Sequence, residues 1–252
     1  MTIYDETTRM DGKMNIGIII VAGGSGKRMG GGIPKQFRIA GNEPLLVRTI
    51  NTFATTLPAA EIVVVLPSEH TAFWNDLKSR FTVARHKTVA GGAERFHSVK
   101  AGVAALGDSV KLIAVHDGVR ALCSRKLIIR AIQCALEHGS AVPAIVPTDS
   151  FRAIDGDTTH ILDRAALRMI QTPQIFDAAM LRTAYDTEYD PAFTDDASVV
   201  ERAGGKVVLC EGERSNIKIT APEDIAIAEA LLDYQNDAAT FAADTGDENI
   251  QI

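Results

Sequence analysis

No stretch of the chain approaches the roughly 20 consecutive apolar residues that a membrane helix needs. The longest clean run, Ile16 to Ala22, is interrupted by Gly17 and has the length of a strand. Cysteine is scarce: Cys123, Cys134 and Cys210 are odd in number, widely spaced and without the paired spacing of metal ligands. Reduced thiols packed against a core in the cytoplasm are the expectation, and no partner that would activate one as a nucleophile is evident. The N-terminus carries Asp5, Glu6 and Asp11 and lacks an apolar signal core, so no secretory signal is expected. Positive charge is in deficit, with 26 Lys and Arg against 32 Asp and Glu and a net charge of −6. That balance argues against a nucleic-acid partner held by phosphate contacts. It leaves room for local basic clusters that hold small phosphates. There is no internal repeat.

What is present is an ordinary globular composition, 46% hydrophobic and 23% charged over 252 residues. A chain of this length fits one large domain and can bury roughly 70–75% of its unfolded surface, so no staple is required. Residues 1–13 read as a polar leader and 14–235 as one domain. Residues 236–252 hold Asp237, Asp244, Asp247 and Glu248 with no Lys or Arg, and read as a solvated acidic tail without fixed structure.

Within the domain the pattern alternates. Apolar, β-branched runs occur at Ile16–Ala22, Glu61–Pro67, Lys111–His116, Ala141–Pro147 and Lys206–Cys210. Most lack polar alternation, as strands covered on both faces do. Helical periodicity lies between them, over Pro44 to Leu57, Glu94 to Leu106 and Ser124 to His138, the last with Gly139 as its stop. Thr194-Asp195-Asp196 caps a further helix ending at Gly204-Gly205, and Pro222-Glu223-Asp224 opens the last one. Alternating strands and helices predict an α/β, Rossmann-like, doubly wound, mostly parallel sheet. Residues 148–165 break the rhythm. Two short extended stretches flank Asp155-Gly156, a strong hairpin signal. A β-hairpin arm leaving the sheet either covers the active site or reaches a second subunit; its edges want a partner, which favours a homodimer.

The first strand runs into Val21-Ala22-Gly23-Gly24-Ser25-Gly26-Lys27-Arg28-Met29-Gly30-Gly31-Gly32. Glycines beyond the carboxyl end of a first strand let backbone N–H groups close on phosphate oxygens, and cations follow at once. Neither common nucleotide motif fits. In a dinucleotide fingerprint Gly24, Gly26 and Gly30 miss the third position by one, and Glu43 precedes a helix instead of ending a second strand. In a P-loop reading, Val21 replaces the first glycine and Arg28 replaces the hydroxyl that holds Mg²⁺.

The loop's G-G-x-G-x-R-M, followed by Pro34-Lys35-Gln36-Phe37, resembles the nucleotidyltransferases that join a sugar or polyol phosphate to a nucleoside. Among them the chain is most similar to the 2-C-methyl-D-erythritol 4-phosphate cytidylyltransferase family, over about residues 15–233. Further landmarks recur in order: Gly91-Gly92-Ala93-Glu94-Arg95 with Ser98-Val99, His116-Asp117-Gly118-Val119-Arg120, Asp163-Arg164 and Gln171-Thr172-Pro173-Gln174. Thr194-Asp195-Asp196-Ala197-Ser198 and Asn216-Ile217-Lys218-Ile219-Thr220 complete the series.

The resemblance implies attack by a polyol phosphate oxygen on the α-phosphorus of CTP, with release of pyrophosphate. Such chemistry is mostly positioning and charge neutralisation. The resemblance makes Arg28 and Lys35 the cations on the triphosphate and Ala22, Gly23, Gly24, Ser25 and Gly26 its cradle. It puts Gly92 and Ser98 at the pyrimidine base. Asp117 is implied as a Mg²⁺ or ribose partner; from spacing alone it reads equally well as a helix cap. Arg120, Ser150, Arg164, Thr194 and Lys218 are implied to hold the second substrate, Arg164 and Lys218 with a catalytic share. Thr194 reads equally as a cap, which is the simpler reading. Ser150 stands where the family usually has Thr, Ala93 where relatives often have Asp, and Gly118 where Ala is usual. His116 reads as a packed strand-end histidine. The neighbouring alternative is a ribitol 5-phosphate cytidylyltransferase; a non-catalytic nucleotide-binding regulator and a dehydrogenase stand further off.

Overall fold

A computed structural model of the protein describes residues 15–23 and 32–245. Gly24, Ser25, Gly26, Lys27 and Arg28 of the glycine-rich loop therefore lie outside the described residues, as does the leader 1–13. The chain runs β1 (Ile16–Val21), β2 (Ile39–Ala40), β3 (Glu43–Pro44), α1 (Leu45–Thr56), β4 (Glu61–Leu66), α2 (Thr71–Arg80), β5 (Lys87–Ala90), α3 (Arg95–Ala105) and β6 (Leu112–Asp117). It continues through α4 (Arg125–His138), β7 (Ser140–Ile145), β8 (Phe151–Asp155), β9 (Thr158–Leu162), β10 (Met169–Ile170), β11 (Gln174–Asp177), α5 (Ala178–Tyr185), α6 (Asp196–Arg202), β12 (Leu209–Glu211) and α7 (Pro222–Thr245).

The main sheet has the order β10-β7-β11-β6-β1-β4-β5, with β12 also paired to β7. β1, β4, β5 and β6 are parallel, and β11 runs antiparallel between β6 and β7. The chain builds outward from β1 through β4 to β5, then returns to place β6 on the other side of β1. That reversal opens a crevice beyond the carboxyl ends of β1 and β6, the usual ligand position in such sheets.

Alternate residues of the buried strands feed two core layers. Ile16, Ile18, Ile20, Ile62 and Val64 face α1 and α4. Ile19, Val21, Val63 and Val65 face α3, α5 and α6. Sequence and structure agree at the helix ends: Ser124 Oγ accepts the N–H of Leu127, and Gly139 closes α4 in the left-handed conformation.

Three differences from expectation have physical reasons. β5 and β11 are four residues each, too short to show a period, and α2 and α5 likewise go beyond the sequence pattern. α7 runs to Thr245, past the expected tail boundary at 236, because the segment contains Ala238, Ala239, Ala242 and Ala243, the best helix formers. The hairpin's two-residue loop is Gly156-Asp157, with Gly156 at φ +55°. A glycine at the first loop position suits a tight hairpin turn.

Among the described residues, the hairpin of β8 and β9 pairs only with itself. Ile154 and Ile161 are 80% and 71% exposed and share one face of the ribbon, while Phe151 and Leu162 pair on the other. Among the described residues, no helix is long and apolar enough to cross a membrane.

Candidate active site

A cleft of about 270 Å³ lies over the carboxyl ends of β1, β4 and β6, and Gly23, Lys35, Gly92, Ser98, Asp117 and Lys218 line it. A wider hollow of about 540 Å³, bordered by Arg48, Ser124, Arg125 and Arg214, contains none of the expected site residues.

The walls of the cleft are fixed by local structure. Ala22 N–H donates to the carbonyl of Val65, which ties the start of the glycine-rich loop to β4. Pro34 enters a single helical turn, Lys35–Phe37, in which Gln36 and Phe37 are buried. Phe37 packs against Phe73 and Trp74, with ring centroids 5.0 and 6.0 Å away. This anchor holds half-buried Lys35 at the rim. Opposite it, Ser98 Oγ donates to the Glu94 carbonyl and accepts the Gly92 N–H, both at 3.2 Å. A Cβ on Gly92 would collide with His97 Cβ, and one on Gly91 would come within 2.7 Å of Ser98 Oγ. Only glycine permits this close approach of the loop to α3.

Asp117 ends β6 and is the electrostatic centre of the site. Lys218 Nζ lies 2.8 Å from its Oδ2, Arg95 Nε 3.5 Å from its Oδ1 and Arg120 Nε 3.9 Å from its Oδ2. Burial would push this carboxyl up, but Arg95, Lys218 and then Arg120 hold it well below the usual carboxylate range. The next helix begins only at Arg125, so the cap reading of Asp117 is excluded.

Arg95 is itself gripped from behind. Its Nη1 and Nη2 donate to Asp196 Oδ1 and Oδ2 at 2.9 and 2.7 Å, and Tyr185 Oη donates to Asp196 Oδ1 at 2.7 Å. Arg120 Nη1 donates to the Asn216 carbonyl at 2.7 Å. Gln171 clamps the same stretch: its Nε2 donates to the Glu213 carbonyl at 2.7 Å, and its Oε1 accepts the Glu213 N–H at 3.0 Å. Asn216 Nδ2 donates to the Thr172 carbonyl at 2.9 Å. These bonds fix the chain just before Lys218 and so aim its ammonium. His116 is wholly buried edge-on to Phe53, and burial brings it down to about 4, so it is a packed neutral ring as expected.

The structure thus gathers Gly23, Lys35, Gly92, Ser98, Asp117 and Lys218 around one cleft, with Ala22 beside Gly23 and Arg120 against Asp117. Arg164, Ser150 and Thr194 are not among its lining residues. Arg164, at the base of the ribbon, donates its Nη1–H to the Thr148 carbonyl at 2.7 Å. Thr194 is not the helix cap: Asp195 is, in a reciprocal capping box with Ser198. Arg95, Asp196, Tyr185 and the Gln171–Thr172 clamp have no site role in the sequence reading. Arg95, Asp196, Gln171 and Thr172 nonetheless lie inside the motifs that carry the resemblance, which is the signal the sequence offers for them.

One carboxylate among three cations is a modest metal ligand on its own, and the described residues hold no cluster of three or more metal-ligating side chains. Mg²⁺ is commonly bound through one or two carboxylates plus substrate phosphates. The residues present fit a divalent ion carried mainly by a nucleotide.

Residues 16–234 match the family model described as 2-C-methyl-D-erythritol 4-phosphate cytidylyltransferase. A protein of that name from Phocaeicola vulgatus is 44% identical over 221 residues, 87% of this chain and 100% of that one. One from Bacteroides fragilis is 42% identical over 216 residues, 85% of this chain and 98% of that one. Among solved structures, the enzyme of the same name from Thermus thermophilus superposes with a TM-score of 0.70 at 32% identity, covering 86% of this chain and 98% of that one. The 4-diphosphocytidyl-2C-methyl-D-erythritol synthase of Anaerococcus prevotii gives 0.74 at 30% identity, covering 88% and 100%.

Proposed function

The chain belongs to the 2-C-methyl-D-erythritol 4-phosphate cytidylyltransferase family, and we propose the following account of how its residues carry out that reaction. The enzyme transfers CMP from CTP to 2-C-methyl-D-erythritol 4-phosphate with release of pyrophosphate, in non-mevalonate isoprenoid biosynthesis. The observation that carries this reading is the convergence of Lys35, Asp117 and Lys218 on one cleft walled by the Gly91–Gly92 turn.

The acceptor phosphate arrives ionised, so no side-chain base is needed. Its oxygen forms a bond to the α-phosphorus of CTP as the bond to the pyrophosphate oxygen breaks, and the leaving pyrophosphate keeps the electron pair. Lys35 and Arg28 neutralise the triphosphate, and Ala22 to Gly26 offer it backbone N–H groups. The turn held by Ser98 presents Gly92 to the base, with room for a pyrimidine. Lys218, aimed by the Gln171 and Asn216 bonds, serves the incoming phosphate, and Arg120, Ser150 and Thr194 complete that subsite. Mg²⁺ is the proposed metal; Asp117 would share it with the triphosphate, and its charge would offset that of the phosphates.

The exposed apolar ribbon supports a homodimer, because an isolated two-stranded ribbon is marginal in water. Arg164 at its base is then proposed to act on the acceptor phosphate in the partner's cleft. Pyrophosphate release with 2-C-methyl-D-erythritol 4-phosphate, compared with ribitol 5-phosphate, tests the assignment. Stronger turnover of ribitol 5-phosphate would replace it with the neighbouring activity.

A further inference from the structure

His116 has no part in the chemistry above, yet both of its ring nitrogens are engaged at the edge of the site. Nε2 lies 3.2 Å from the carbonyl oxygen of Arg120, and Nδ1 lies 3.1 Å from Thr172 Oγ1. A carbonyl oxygen only accepts, so Nε2 carries the proton. Nδ1 is then the acceptor and takes the hydroxyl proton of Thr172. The Thr172 oxygen in turn accepts the Asp117 N–H at 3.1 Å. The bonds form one directed chain, from Asp117 N–H to Thr172 to His116 and on to the Arg120 carbonyl. It ties down both ends of the turn that carries Asp117 and Arg120. Thr172 receives the Asn216 bond as well, so the same anchor reaches the segment before Lys218.

We propose that His116 is a positioning residue for the second substrate: an imidazole held in the Nε2–H form, which fixes the Asp117–Arg120 turn through Thr172. This rests on the reaction proposed above. It predicts that disturbing the chain loosens the acceptor subsite more than the CTP side, since Arg95 and Lys218 still hold the Asp117 carboxylate and Ser98 holds the Gly91–Gly92 turn independently of it.

Two measurements on the full-length protein test it. In the ¹⁵N-histidine-labelled enzyme, with His116 assigned by loss of its signals in His116→Gln, the Nε2 resonance should fall in the protonated range and Nδ1 in the unprotonated range. The reverse tautomer overturns the proposal, and this readout is independent of activity. In kinetics, His116→Gln keeps a donor for the Arg120 carbonyl but loses the Nδ1 acceptor, and Thr172→Val loses the hydroxyl. Each should raise the KM for the sugar phosphate about tenfold, as loss of a hydrogen bond that places a charged group does, with the KM for CTP changed less than about twofold. Because both variants break the same link, the double variant should be no worse than either single one. Equal effects on both substrates, or additive effects in the double variant, overturn the proposal. Should His116→Gln fold poorly, Thr172→Val alone carries the KM comparison. Absence of any CTP-dependent turnover in the wild type would defeat the assigned reaction, and the tautomer measurement would then decide the role of His116 on its own.

Discussion

Lys218 Nζ lies 2.8 Å from Asp117 Oδ2, so the cleft holds a matched pair of opposite charges before any substrate enters. The lysine side chain is 42% exposed and the aspartate 10%. Without Lys218 the buried carboxylate would keep Arg95 and Arg120 as partners. Lys218 also lines the cleft, a place that suits the role proposed for it on an incoming phosphate.

Lys218→Met is accordingly expected to lower kcat by on the order of 10³–10⁵, the range for cations that stabilise a transferring phosphoryl group. Its melting temperature should stay close to that of the wild type. Steady-state turnover within a few-fold of wild type would remove Lys218 from the proposed machinery.

Asp196→Ala should show the opposite profile. Asp196 is fully buried and answers a bidentate Arg95 and the Tyr185 hydroxyl. Removing one partner of a buried pair costs about 3–5 kcal/mol, because the remaining charge loses its compensation. Urea unfolding checks this. A loss below about 1 kcal/mol, the level of a surface pair, would mean that Arg95 finds another partner.

The start of α7 gives a pH test. Asp224 Oδ2 accepts from Thr220 N–H at 2.6 Å, Ala221 N–H at 2.8 Å and the Thr220 hydroxyl at 3.0 Å. Burial alone would raise this carboxyl, but those donors and the Lys35 charge hold it below its usual value. In the unfolded chain it titrates near ~3.9. Its contribution is therefore complete above about pH 4 and is lost as pH falls through the lower folded value. Asp224→Asn keeps an amide oxygen for these donors but removes the negative charge at the helix start and near Lys35, so it should cost about 0.3–1 kcal/mol at neutral pH. The gap between the two proteins should close in acid; denaturation curves showing a gap independent of pH would contradict this.

The buried strands and the capped helices were legible in the sequence because each is decided locally, by an unbroken apolar run or by a Ser–Gly pair such as Ser124 and Gly139. The motif residues lining the cleft were legible too, through Lys35, Gly92, Asp117 and Lys218. β5 and β11 were not, since four residues carry too little pattern to separate a strand from a loop. The network behind Asp117 was hidden for a different reason. Arg95 and Asp196 meet only because α3 and α6 pack on the same face of the sheet, and no local pattern encodes that encounter. Thr194 looked like a cap because it stands one residue before the true one, Asp195.

The ribbon should hold two chains together. Ile154 and Ile161 share one exposed face of β8–β9, so replacing both with Asp should leave the sheet intact and separate the protomers. Sedimentation at micromolar concentration should show a wild-type dimer and a variant monomer with little activity, because Arg164 would leave the partner's cleft. A monomeric wild type would rule out the dimer, and with it the trans role of Arg164.

The cleft is proposed to move CMP onto a polyol phosphate. Phosphorus-31 NMR of the wild-type enzyme with CTP, Mg²⁺ and 2-C-methyl-D-erythritol 4-phosphate tests it most directly. The CTP and phosphomonoester signals should fall together while a diphosphodiester and pyrophosphate rise in equal amounts, and only when the acceptor is present. Release of inorganic phosphate from CTP, or pyrophosphate formed without the diphosphodiester, would contradict it.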